Sequence, residues 1–220
     1  VISSGLLLKF SVFAVAFWIG SQTGGGAPRA PSTDSTLHSN SNGWNTIHVF
    51  YGNTPKLDSN ITWHSQQGQD ELVSTLLNLK RNGYFIDLAA NDALHWSNTA
   101  ALESQYSWTG LCIEPTPRYW YNLTTIRSCQ AVAAVVGNAT PSQIRWKRRK
   151  EYSGIVGDEF DNHVRKNKTY PTKYTVPLST VFQRFHVPRI VDYLSFDVEG
   201  AEEYILQDFL PTTNYRFHIM

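Results

Sequence analysis

Two cysteines in 220 residues are too few for a disulfide-dense scaffold or a four-cysteine zinc site. Neither sign of charge is in excess: 19 Lys and Arg against 18 Asp and Glu give a formal net charge of +1. The missing basic surplus argues against a nucleic-acid-binding domain. Charge is also sparse, at 17% against 41% hydrophobic residues. That excludes a disordered polyelectrolyte and supplies a packed core for one or two domains. No apolar run reaches the length of about 20 residues that a membrane span needs, and no internal repeat is present.

What is there begins with an apolar run from Phe10 to Ile19, preceded by Lys9 and by Leu6, Leu7 and Leu8. A cation followed by about ten apolar residues has the form of a signal-peptide core, or of a signal anchor. Residues 1–20 are therefore expected to be a signal peptide or anchor. Residues 21–60, rich in Gly, Ser, Thr, Asn and Pro over most of their length, are expected to be a flexible stem. This layout points to the secretory pathway, as a Golgi-type single-pass membrane protein or a secreted one. Four sequons, at Asn60, Asn122, Asn138 and Asn167, are glycosylation candidates there. The globular domain is expected over residues 61–220.

Within it, Leu72, Val73, Leu76, Leu77 and Leu79 fall on one helical face, so a helix is predicted over Gln69–Leu79. Strands are predicted at Tyr84–Leu88, Gly110–Glu114, Ala131–Val136 and Tyr193–Val198. Helices are predicted at Ser97–Gln105, Arg118–Ile126 and Gly200–Phe209, with a hairpin over 143–149 and 152–156. Tyr215–Met220 reads as a further strand. Strands alternating with helices imply a parallel sheet joined by crossovers.

In such sheets ligands bind beyond the carboxyl ends of the strands. Asp87, Asn91 and Asp92 stand at the end of the first strand, where the small residues Ala89, Ala90 and Ala93 let backbone approach a ligand. Glu114 ends the second strand, 27 residues after Asp87, where a carboxylate accepts both hydroxyls of a ribose. Asp197 ends the Tyr193–Val198 strand and is expected to face the same cleft as Asp87. Its candidate roles are positioning, general base or metal ligation. Glu199 and Glu202 read as acids at a helix N-terminus, Glu202 foremost, and Glu199 is also open as a metal partner of Asp197, though no spacing demands one. His95, on the loop after Asp92, is a second candidate base.

The ordered segments YFIDLAANDA, SNTAALE, GLCIEPTPRYWYNL and SFDVEGAE resemble the FkbM family of S-adenosylmethionine-dependent methyltransferases. SQQGQDELV from Ser65 is similar to that family's entry helix, and SGIVG at Ser153 to its motif after the third strand. The resemblance spans roughly residues 65–220. It implies an α/β, class I methyltransferase fold: a Rossmann-like, doubly wound, mostly parallel sheet. It also implies S-adenosylmethionine as cofactor, with the methionine part near Asp87, Ala89 and Asn91, Glu114 on the ribose, and adenine near Ala134 and Val135. The implied reaction is O-methylation of a glycan or small hydroxylated molecule; for its proton Asp197 is the first candidate base and His95 the second, and no metal-ligand spacing is singled out. The family commonly has glycine where this chain has Ala89 and Ala93, and alanine reaches positive φ only at a cost. The family also continues past the last strand here, so the chain is expected to be a fragment, truncated at the C-terminal strands.

A methyltransferase-fold binding module without turnover is the alternative that the two alanines suggest. A lumenal glycosyltransferase is disfavoured, because no Asp-x-Asp motif is present to hold a metal-bound nucleotide sugar. Cys112 and Cys129 are expected on neighbouring strands, either bonded or as free thiols. RWKRRK at Arg145–Lys150 reads as a solvated hairpin face or as a site for an acidic glycan or phosphate. Of Tyr119, Trp120 and Tyr121, at least one is expected in the core.

Overall fold

The structure, a computed structural model, describes residues 60–220. The apolar segment expected over 1–20 and the stem expected over 21–60, Asn60 apart, lie outside the described residues. No helix among the described residues is long and apolar enough to cross a membrane.

The chain opens with α1 (Gln69–Leu76), β1 (Tyr84–Leu88), α2 (Ala100–Tyr106), β2 (Thr109–Ile113), α3 (Pro117–Ile126) and β3 (Gln130–Val132). A second group follows: β4 (Val135–Gly137), β5 (Gln143–Lys147), β6 (Gly154–Ile155), β7 (Thr172–Pro177) and α4 (Leu178–Arg184). It closes with β8 (Ile190–Phe196), α5 (Glu202–Thr212) and β9 (Arg216–Ile219). The main sheet has the order β3-β2-β1-β8-β9 and every pairing in it is parallel. Its inner strands read as nearly unbroken apolar runs because helices cover both faces. Alternate residues of β1 face opposite ways: Phe85 joins a cluster with Leu102, Trp108 and Leu123, while Ile86 and Leu88 join one with Phe182, Ile205 and Phe209. This is the α/β, doubly wound, Rossmann-like architecture expected from the sequence.

Two local readings change. The helix α1 ends at Leu76, not Leu79, because Asn78 and Leu79 take left-handed backbone (φ 53° and 55°). Asp70 is buried at the helix start, where its carboxylate accepts the backbone N–H groups of His64 (2.7 Å) and Ser65 (3.2 Å). The strand read at Ala131–Val136 is two strands. β3 stays beside β2, whereas β4 pairs with β7 in a second sheet of order β4-β7-β5-β6. A short apolar run cannot report which of two sheets each half joins, since pairing is a non-local event. β7 and α4 complete that second sheet and its cover. The spacing of Leu178, Val181 and Phe182 marks α4, and all three are buried. The hairpin expected over 143–156 is present as β5 and β6, antiparallel, with Trp146 opposite Ile155.

Cys112 and Cys129 form a disulfide that ties β2 to the start of β3. Of the aromatic trio, Tyr119 is buried, Tyr121 is exposed, and the Trp120 indole N–H donates to the Glu114 carbonyl (2.8 Å).

Candidate active site

The order of the main sheet reverses between β1 and β8, which opens a crevice at their carboxyl ends. Two adjoining pockets occupy it and share Leu88, Ala89 and Asn91. One, of about 460 Å³ with open solvent included, is walled mainly by apolar groups, with Glu114, Ala134, Val135, Trp146 and Ile155 among them. The other, about 590 Å³ on the same measure, is lined by Asp87, His95, Trp96, Tyr152, Asp197 and Glu199. Asp87, Ala89, Asn91, His95, Glu114, Ala134, Val135 and Asp197 all line one pocket or the other, whereas Asp92 lines neither.

Glu114 is buried at the end of β2. Its carboxylate accepts the Asn91 N–H (2.9 Å) on one oxygen and the Thr116 N–H (2.6 Å) on the other. Two of its roughly four lone-pair sites thus stay available for a ligand. Burial pushes its pKa up, and the Asn91 and Thr116 bonds pull against that. The Trp146 indole N–H is buried without a protein partner, leaving a donor in a residue of the pocket wall. An apolar slot with a ribose-type acceptor at one end and a spare donor in its wall fits a nucleoside.

Asp87 anchors the other pocket. The Thr99 hydroxyl donates to it (2.6 Å), and the strand register sets Ser195 beside it. The buried Arg127 fixes this corner. Its guanidinium donates to the Ala93 carbonyl, to the Ser97 and Thr99 hydroxyls and to Glu103, at 2.9–3.2 Å. Burial raises the Asp87 pKa, and the Thr99 bond and the Arg127 charge oppose that rise. Neither Arg127 nor Thr99 was singled out from the sequence. Thr99 lies 12 residues beyond Asp87 and Arg127 lies 40 beyond it, past the strand ends themselves, and the fold brings both to Asp87.

The loops beside the crevice are strained. Ala89 (φ 66°), Asn91 (φ 53°) and Trp96 (φ 59°) are left-handed on one side, and Glu199 (φ 58°) and Gly200 (φ 86°) on the other. Ala89 therefore does adopt the conformation expected to need glycine. It is held there by its own N–H and that of Ala90, which both donate to the Ile113 carbonyl (2.9 and 3.1 Å). Ala93 is fully buried and is not left-handed, so packing rather than backbone sets its size. Such strain gathers where the surrounding structure fixes a functional geometry.

Asp197 is exposed at the cleft, in whose wall it stands. Burial, then Glu202, Asp87 and Asp161, raise its pKa. Glu199, read from the sequence as a helix-end acid, instead lines the cleft beside Asp197. Its carbonyl accepts the Asp161 N–H (3.1 Å), and its Cβ packs against Gly154, where any side chain would collide with Asn162. Burial and the charges of Asp197, Asp161 and Glu202 push Glu199 up to about 7, with Lys147 opposing. His95 is exposed and stacks on Trp96 (centroids 4.5 Å apart). Among the described residues no group of three or more His, Cys, Asp and Glu is placed to hold a metal.

Fold and crevice together define a Rossmann-like α/β class with its candidate site at the switch point of the sheet. The sequence matches the Methyltransferase FkbM domain over residues 87–220, and the chain belongs to that family. No curated protein and no solved structure matches it.

Proposed function

We propose that this methyltransferase uses S-adenosylmethionine to O-methylate a glycan or small hydroxylated molecule. The observation that carries the reading is the pair of pockets meeting at residues 88–91, with a nucleoside acceptor, Glu114, in one and carboxylates in the other. When bound, the cofactor supplies a methyl group already activated on a sulfonium. Glu114 holds the ribose hydroxyls, Ala134, Val135 and Trp146 enclose the adenine, and Asp87, Ala89 and Asn91 border the methionine end. The protein's remaining task is to align a hydroxyl and accept its proton. Asp197 and Glu199 face the space where that hydroxyl sits, and either carboxylate takes the proton at its own oxygen; His95 stands further out, on the rim. Against the reading of a binding module without turnover stands Ala89, which already has the left-handed backbone that a glycine would supply.

Folding with a Cys112–Cys129 disulfide supports an oxidising compartment, and we place the protein in the secretory pathway on that ground and on its N-terminal sequence. Calorimetric titration of S-adenosylmethionine tests the reading. Micromolar binding is expected, weakened about a hundredfold or more in Glu114→Ala by loss of two charge-assisted hydrogen bonds. A folded wild-type protein that binds nothing, or a variant that binds as well as wild type, overturns it.

A further inference from the structure

Charge is unevenly placed along this nearly neutral chain. Residues 143–173 hold nine Lys and Arg against four Asp and Glu, a net +5, so the rest of the chain carries −4. This basic segment is the part of the second sheet that closes over the cleft: Trp146 and Ile155 wall the nucleoside pocket, and Glu151 and Tyr152 line the other. The Arg149 guanidinium lies over the Tyr152 ring (5.3 Å), which sets a cation at the cleft rim. Lys147 is buried and donates to Asn162 (2.7 Å). Burial, then the charges of Arg149, Arg165 and Lys168, lower its pKa, and the charge of Glu199 opposes them. Among the described residues none of the three is ion-paired with a carboxylate.

Carboxylates line the inside of this cleft, and Arg149, in no ion pair, lies against Tyr152 of its wall. The inner acids suit a sulfonium and a hydroxyl that must lose a proton. They form no ion pair with Arg149, whose charge is left for a ligand of opposite sign. We propose that the acceptor is an anionic hydroxylated molecule, of the uronate, sulfated-sugar or phosphorylated-sugar class. Arg149 holds its acidic group, with Arg165 and Lys168 adding to the field, and its hydroxyl reaches Asp197 and Glu199. Guanidinium suits this task because it pairs with planar or tetrahedral oxyanions through two parallel hydrogen bonds. The proposal rests on the methyltransferase reading above.

The test loads the full chain with S-adenosylhomocysteine, which blocks turnover, and titrates glucose, glucuronate, glucose 6-sulfate and glucose 6-phosphate by calorimetry at low salt. At least one charged sugar is expected to bind about tenfold or more tightly than glucose, with affinity falling as salt rises. Arg149→Glu and Arg165→Glu are each expected to remove that advantage and leave glucose unchanged. Arg189→Glu, which makes the same change of net charge at the amino end of β8, is expected to keep it. Equal binding of all four sugars, or equal effects of the three variants, overturns the proposal. No measurable binding of any charged sugar overturns it too. Failure of S-adenosylhomocysteine itself to bind a folded protein overturns the underlying reading, and is seen in the first titration. Which charged sugar binds best separates carboxylate, sulfate and phosphate as the acidic group.

Discussion

Glu199→Gln should make the protein more stable, and only above acidic pH. The Glu199 carboxyl is raised from an ordinary 4.5 to about 7 by burial and by Asp197, Asp161 and Glu202. In the unfolded chain it ionises near 4.5; in the folded chain it keeps its proton until about 7. Between those values the unfolded state binds fewer protons, so wild-type stability falls as pH rises through this window. The full shift of about 2.5 units corresponds to about 3.4 kcal/mol at 1.36 kcal/mol per unit. Glu199 is only half-buried, and solvent screening reduces this to about 1–2 kcal/mol. Glutamine keeps the shape and cannot ionise. Calorimetric melts should therefore coincide at pH 4 and separate by about 3–6 °C at pH 8, with the variant higher. Parallel pH profiles, or a variant less stable than wild type at pH 8, would refute the argument that the cleft imposes a charge penalty at this position.

Three more outcomes follow from the same geometry. Reducing Cys112–Cys129, which closes a separation of 17 residues, should lower stability by about 3 kcal/mol in urea titration; an unchanged midpoint would contradict the bond. Ala89→Gly should stabilise the fold by about 0.5–1 kcal/mol, because relief of a left-handed alanine exceeds the added entropy of the unfolded glycine; a loss on chemical denaturation would sink that account. Arg127→Met should cost about 3–5 kcal/mol, since Glu103 is left without its cation and Thr99 without its donor; a cost under 1 kcal/mol would mean that the cluster is not a structural unit.

Much of the fold was legible in one dimension. The β1, β2 and β8 runs are short, apolar and end in or beside carboxylates, and α3 begins at a proline, so local chemistry alone placed them. Glu114 and Asp197 were found because residues at the carboxyl ends of parallel strands face the crevice whatever the rest of the chain does. The break between β3 and β4 was not legible, because valines 132 and 135 look alike until their partners are known. Arg127 was invisible for the same reason: a lone arginine after a helix gives no sign that it will be buried against Ala93, Thr99 and Glu103.

The contrast between the two acids after β8 marks the division. By itself the sequence determined the parallel α/β fold, the family motifs and the row of carboxylates at the strand ends, because periodicity and strand ends are local properties. Only the tertiary structure decided that Cys112 and Cys129 meet, that Ala89 bends left-handed, and that the basic hairpin borders the cleft. It also turned Glu199 from a helix-end acid into a cleft carboxylate that ionises near neutrality. Burial and electrostatic repulsion depend on what lies within a few ångströms in space, and Asp161 and Lys147 reach Glu199 from 38 and 52 residues away in the chain.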